Sequence, residues 1–131
     1  MMDNEDNSYF NNEEYEDQLY RETYINELNA IADLYPEAKF KLMISLNYLN
    51  EVLSVEDMVT IRCKFNCFCY NDKKRKTINI KIYKKNNQGC IRVSDAIQAL
   101  VDKRFNPGCE HNNFEYFEQD GITDIFDAYF S

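Results

Sequence analysis

Val59-Thr-Ile-Arg-Cys-Lys-Phe-Asn-Cys-Phe-Cys69 and, after a polar interval, Thr77-Ile-Asn-Ile-Lys-Ile-Tyr-Lys84 alternate apolar and polar residues. In the first run Val59, Ile61, Cys63, Phe65, Cys67 and Cys69 share one face, and Thr60, Arg62, Lys64 and Asn66 share the other. Such alternation marks a strand with one buried face. The second run repeats it, with Ile78, Ile80 and Ile82 on one face and Asn79, Lys81 and Tyr83 on the other. Asn71-Asp-Lys-Lys-Arg-Lys76 is the polar connection, so Val59–Lys85 predicts a central antiparallel β-hairpin. A slip of one residue would turn either strand inside out, which pins the register.

The rest of the composition sets the class around this hairpin. A chain of 131 residues, 44% hydrophobic and with 10 Tyr and 9 Phe, can build one core. Three Gly and two Pro are too few for a sandwich that turns every ten residues or so, and a mixed α+β domain fits better. The start, Met1-Met-Asp-Asn-Glu-Asp6, has neither a basic opening nor an apolar run, so no signal peptide is expected. No stretch approaches the roughly 18 apolar residues of a membrane span, and no membrane partner is expected. The five cysteines are odd in number, and three lie on the inward face of one strand. They read as reduced thiols in an intracellular protein of cytoplasm or nucleus. The abundance of Asn, Lys, Ile and Tyr is the usage of AT-rich genomes, large DNA viruses among them.

Charge is laid out in blocks. Residues 1–38 hold 11 acidic side chains and one basic, Arg21; residues 39–104 hold 14 basic and 6 acidic; residues 105–131 hold 6 acidic and none basic. The acidic–basic–acidic order predicts either screened, well-mixed surfaces or a basic face that meets an anionic partner.

Residues 1–17 are acidic, Asn-rich and poor in aliphatics, and predict a disordered tail; residues 18–131 predict a single α+β domain. Tyr24, Leu28, Ile31 and Tyr35 fall 4, 3 and 4 apart, as on one face of a helix. Between Pro36 and Leu53 two periods compete. Phe40, Leu42, Ile44, Leu46 and Tyr48 alternate, whereas Leu42, Leu46, Leu49 and Leu53 have helical spacing. With Pro36 at a first turn, a second N-terminal helix is the expectation. Cys90–Val93 reads as a short strand or an extended lead-in, and as a strand it would extend the hairpin to a three-stranded sheet. Ser94 reads as the N-cap of a helix over Asp95–Phe105, stopped by Asn106-Pro-Gly108. Hairpin, loop and capped helix in that order are similar to the opening of the β-grasp architecture, a likeness of element order alone. The aromatic C-terminal segment holds a hairpin signal, Asp120-Gly121, but Phe126, Tyr129 and Phe130 at helical spacing predict a short helix over 123–130.

Little in the sequence points to chemistry. Cys109-Glu-His111, Cys90, Cys67 and Cys69 invite a zinc site, but there is no Cys-x-x-Cys knuckle, and strand neighbours two apart hold their sulfurs about 7 Å apart. Acidic surroundings at Glu110 disfavour a Cys109 thiolate. Glycine at 89, 108 and 121 alone leaves no phosphate-binding loop. No catalytic residue, metal or cofactor is expected. The richer site is the outer face and tip of the hairpin: Arg62, Lys64, Phe68 and Tyr70 on the first strand, Lys73, Lys74, Arg75 and Lys76 at the tip, Lys81 and Tyr83 on the second. The expectation is a non-enzymatic protein-protein interaction or structural subunit working through this face. The alternative is RNA or single-stranded nucleic acid, for which cations meet phosphates and rings meet bases. Exposure of Phe68, Tyr70 and Tyr83 beside free Arg62, Lys64 and Lys81 would favour nucleic acid.

Overall fold

The computed structural model describes residues 2–64, 77–108 and 110–131, and its architecture is mixed α+β. In chain order the elements are helix α1 (Met2–Leu34), strand β1 (Lys41–Leu42), helix α2 (Leu46–Leu49) and strands β2 (Val52–Ser54), β3 (Met58–Lys64), β4 (Thr77–Tyr83) and β5 (Ile91–Arg92). Helix α3 (Val93–Asp102) and strands β6 (Asn113–Gln119) and β7 (Ile125–Phe130) follow. Five strands form one sheet in the order β1-β6-β7-β3-β4, and β2 and β5 form a separate ribbon. Among the described residues no helix is long and apolar enough to cross a membrane.

β3 and β4 pair antiparallel from Met58 opposite Tyr83 to Lys64 opposite Thr77. They do not stand at the centre of the sheet, as the sequence suggested, but at one side of it. The central strand is β7, parallel to β3 and antiparallel to β6. The third strand expected at Cys90–Val93 pairs with β2 instead. Residues 65–76, the continuation of the first strand and the tip, lie outside the described residues. Four of its strands stand in the order β6-β7-β3-β4, with α3 between β4 and β6 in sequence.

Two expected helices are corrected. Residues 36–53 form no second N-terminal helix but a turn, β1, the single turn α2 and β2. Alternation prevailed because Phe40, Leu42 and Ile44 all reach the core while Met43 and Leu46 stay exposed. Ser45 ends the extended run and caps α2 by accepting the Tyr48 amide at 3.0 Å. The expected helix over 123–130 is strand β7, whose Phe126, Ala128 and Phe130 pack in or against the core. α1 runs through residues 2–17, the segment expected to be a disordered tail. From Glu16 to Asn26 every side chain is exposed. The domain grips the helix only further on, through Ile31 and Tyr35 in the core and a 2.6 Å bond from the Leu46 amide to Glu27.

The inner face of the sheet supplies Val59, Ile61, Cys63, Ile80, Ile82, Phe114, Phe117 and Phe126 to a single core. α3 adds Val93, Ala96, Ile97, Leu100 and Val101. The N-cap of α3 is Arg92, not Ser94. The Arg92 amide donates to the Asp95 carboxylate at 2.8 Å, which places an anion in the first turn. At the other end Arg104 donates to the Val101 carbonyl at 2.9 Å and Phe105 to that of Leu100 at 3.0 Å, the pairing of a Schellman stop. This requires a left-handed residue, and Arg104 takes it at φ 55°. Glycine suits that conformation without its steric cost. Arg104→Gly should therefore stabilise the fold by about 1 kcal/mol. Urea denaturation measures it, and a destabilised variant would contradict this account of the stop.

Candidate protein-contact face

The outer face of the five-stranded sheet is built by the residues that alternate with the core set. Register lines them up in rows across four strands. One row reads Glu118, Asp127, Arg62, Asn79; another brings Ile125, Thr60 and Lys81 together; Met58 stands opposite Tyr83. Tyr116 and Tyr129 are register partners and stack with centroids 4.7 Å apart and planes 11° from parallel. Helices cover the inner face only, so the outer one is open among the described residues. Tyr83 is 66% exposed, Tyr116 and Tyr129 are 40% exposed each, and Lys64, Asn79 and Lys81 are exposed as well.

The cations of this face are not equally available. The Arg62 guanidinium grips Asp127 in a fork, Nε to Oδ1 at 2.5 Å and Nη2 to Oδ2 at 2.8 Å. Its Nη2 also reaches Asp120 at 3.3 Å, and Lys64 lies 4.0 Å from the same Asp127 carboxylate. Two carboxylates thus occupy the donors that a phosphate would need. The hydrogen bond from Arg62, then the charges of Arg62 and Lys64, hold Asp127 below its ordinary carboxylate range despite the partial desolvation opposing them. A hydrogen bond and the charge of Glu118 lift the Tyr129 phenol above its ordinary value, which keeps that hydroxyl a donor. On the inner side of the same strand, burial pushes the Cys63 thiol up to about 12, so it is an inert packing group.

A group with a depressed folded pKa contributes its stabilisation fully above the unfolded pKa, about 3.9 for Asp. It loses that contribution as pH falls through the folded value. Asp127→Asn should therefore melt at a lower temperature than the parent protein at pH 7, and the gap should narrow as pH falls below the ordinary carboxylate range. Thermal melts across acid pH check this. A gap that persists undiminished at the acid limit would show that Asp127 contributes something other than its charge.

Of the residues singled out from sequence, Arg62, Lys64, Lys81 and Tyr83 share this face. Arg62 is an internal ion-pair partner rather than a free cation. Phe68, Tyr70, Lys73, Lys74, Arg75 and Lys76 lie outside the described residues. Sequence reasoning missed Tyr116, Tyr129, Asp120 and Asp127. Two signals could have found them: the period-two run Phe126, Ala128, Phe130, which makes Asp127 and Tyr129 outward residues, and the Asp120-Gly121 turn, with Gly121 at φ 62°.

Elsewhere a polar cleft of about 510 Å³ lies between the α1–β1 turn and the end of α3. It is lined by Pro36, Glu37, Lys39, Val101, Asp102 and Arg104, two carboxylates and two cations without a nucleophile. Cys90 is half-buried and free, Cys109 lies outside the described residues, and among the described residues no three His, Cys, Asp or Glu side chains converge to hold a metal. Compared with protein-family models, curated proteins and solved structures, this chain matches none of them.

Proposed function

We propose that this domain is a non-enzymatic interaction or structural subunit, working inside the cell, that binds another protein through the outer face of its sheet. The observation that carries the reading is the fork of Arg62 on Asp127, with Glu118 and Asp120 beside it. A surface for nucleic acid presents unshared cations and keeps carboxylates away from the phosphate path. This face pairs its Arg with carboxylates of its own and carries exposed tyrosines, a residue enriched at protein contacts. The expected partner surface offers carboxylates to Lys64 and Lys81 and apolar groups to Tyr83, Tyr116 and Tyr129.

Lysine-directed cross-linking in the cell that makes the protein tests this. Partner cross-links are expected at Lys64, Lys81 and Lys85 rather than at Lys39 and Lys103; the reverse pattern would overturn the choice of face. The exposed Tyr83 near Lys81 and Lys85 favours single-stranded RNA as a rival. The purified protein should show no saturable binding to a mixed single-stranded RNA at low salt. Salt-sensitive binding that disappears in Lys81→Glu/Lys85→Glu would replace the protein reading with the RNA one.

A further inference from the structure

Helix α1 carries an apolar stripe that the domain uses at one end only. Tyr20, Tyr24, Leu28, Ile31 and Tyr35 are spaced 4, 4, 3 and 4, and so fall on one side of a helix. Ile31 and Tyr35 are in the core, and Leu28 is half-buried. Tyr24 and Tyr20 continue the same line but are 43% and 74% exposed. Leu19 and Ile25 beside them are exposed too. Glu16 and Asp17 continue this stripe toward the N-terminus, with one cation, Arg21, at its margin. The segment is an acidic, aromatic helix face that is exposed among the described residues.

Its complement is on the same chain. Lys64, Lys81 and Lys85 are exposed on or next to the β3–β4 side of the sheet, with Tyr83 among them, inside the sequence block of 14 basic and 6 acidic residues. Within one molecule the two belong to opposite edges of the sheet. α1 is held on the inner side and packs against β1, whereas β4 is the opposite edge of the sheet. Four strand spacings, about 19 Å, and the thickness of the sheet separate the helix from the outer face of β4. A continuous helix gripped from Glu27 onward does not turn back across that distance.

Resting on the reading of the outer face as a protein contact, we infer that its occupant is α1 of a second copy of this chain. The Tyr20–Tyr24 stripe lies against Tyr83, and Glu16 and Asp17 meet Lys81 and Lys85. The contact is reciprocal, each copy giving its helix and receiving the other's, so the assembly closes as a two-fold dimer. Both charge attraction and tyrosine burial hold it, so it weakens with salt without vanishing.

Sedimentation of the full chain decides it. A dimer is expected at about 200 μM in low salt, with dissociation at least about tenfold stronger in Tyr20→Ser/Tyr24→Ser and in Lys81→Glu/Lys85→Glu. All four positions are exposed, so at concentrations where the parent is monomeric both variants should melt as it does. Mixing the two variants is the sharper measurement, because their heterodimer regains one intact helix-to-face contact that neither has alone. Association of the mixture above that of either variant supports the reciprocal exchange. A parent protein that is monomeric, a dimer indifferent to Tyr20→Ser/Tyr24→Ser, or a mixture no tighter than its components overturns it. A monomeric parent whose cross-links to another protein still map to Lys64 and Lys81 would overturn this inference while leaving the protein-contact face standing. Loss of those cross-links would overturn the face itself.

Discussion

Phe114→Ala should destabilise the domain by about 3–5 kcal/mol, a large part of the 5–15 kcal/mol or so that holds a domain of this size. Phe114 has no exposed surface. Its ring contacts those of Phe117 at 4.7 Å, Phe130 at 5.6 Å and Phe40 at 6.4 Å between centroids. These rings come from β6, β7 and the residue before β1, so one cavity would loosen three strands. It would also forfeit edge-to-face contacts beyond simple area burial. Phe114→Leu, which keeps most of the volume, should cost far less. Urea denaturation of both variants gives the comparison. A loss below about 1 kcal/mol for the alanine variant would mean that the cluster collapses onto the gap and that Phe114 does not organise it.

Ile31→Ala should cost about 2–5 kcal/mol, and the effect should be concentrated at α1. Ile31 is completely buried, and with Tyr35 it is the anchor of a helix whose side chains from Glu16 to Asn26 touch solvent. Few buried contacts mean low local stability. In the parent protein, diluted until it is monomeric, amides from Glu16 to about Asn26 should exchange quickly and those from Leu28 to Leu34 slowly. In Ile31→Ala the slow group should join the fast one while β3, β7 and α3 keep their protection. Protection of residues 16–26 equal to that of the sheet in the monomeric protein would contradict this picture of a helix held at one end. Tyr35 supports the anchor differently. Its hydroxyl points at the Ser94 carbonyl at 3.4 Å, and burial raises its pKa, with the Asp95 charge adding to the effect. The phenol therefore stays neutral across ordinary pH.

The parts of this fold legible in the sequence are those whose pattern is local and unopposed. Met58–Lys64 and Thr77–Tyr83 alternate cleanly, and α3 has a single helical stripe. Where two periods overlapped, tertiary contacts chose. Phe40, Leu42 and Ile44 could be buried together only as an extended segment beside β6, and Phe126, Ala128 and Phe130 only as a strand beside β3. Neither neighbour is close in sequence: β1 lies against β6 from Lys41 to Asn113 and β3 against β7 from Arg62 to Asp127. The candidate face was half legible for the same reason. Lys81 and Tyr83 followed from alternation. The carboxylate that occupies Arg62 did not, because a partner brought in by parallel pairing leaves no mark on the residues around it. The capping of α3 was misplaced by two residues because Ser94 is the stronger cap by residue type. Asp95, bonded to the Arg92 amide, nevertheless sets the start of the helix.

The position of β7 has a consequence for how the protein is made. The strand latest in the sequence lies in the middle of the sheet, between β6 and β3. While residues 125–130 are still inside the ribosome, β3 and β4 can pair and α3 can pack on them, but β6 and β1 have nothing to join. The emerging chain must then hold an open edge on β3, flanked by the apolar Val59, Ile61 and Cys63, until translation reaches Phe130. Such an edge invites pairing with the wrong strand. The interval between the synthesis of β3 and that of β7 is therefore the period in which a nascent chain most needs a chaperone. A stalled chain extended by a C-terminal linker short enough to keep residues 125–130 inside the exit tunnel should be protease-sensitive, and one whose longer linker brings them out should be resistant.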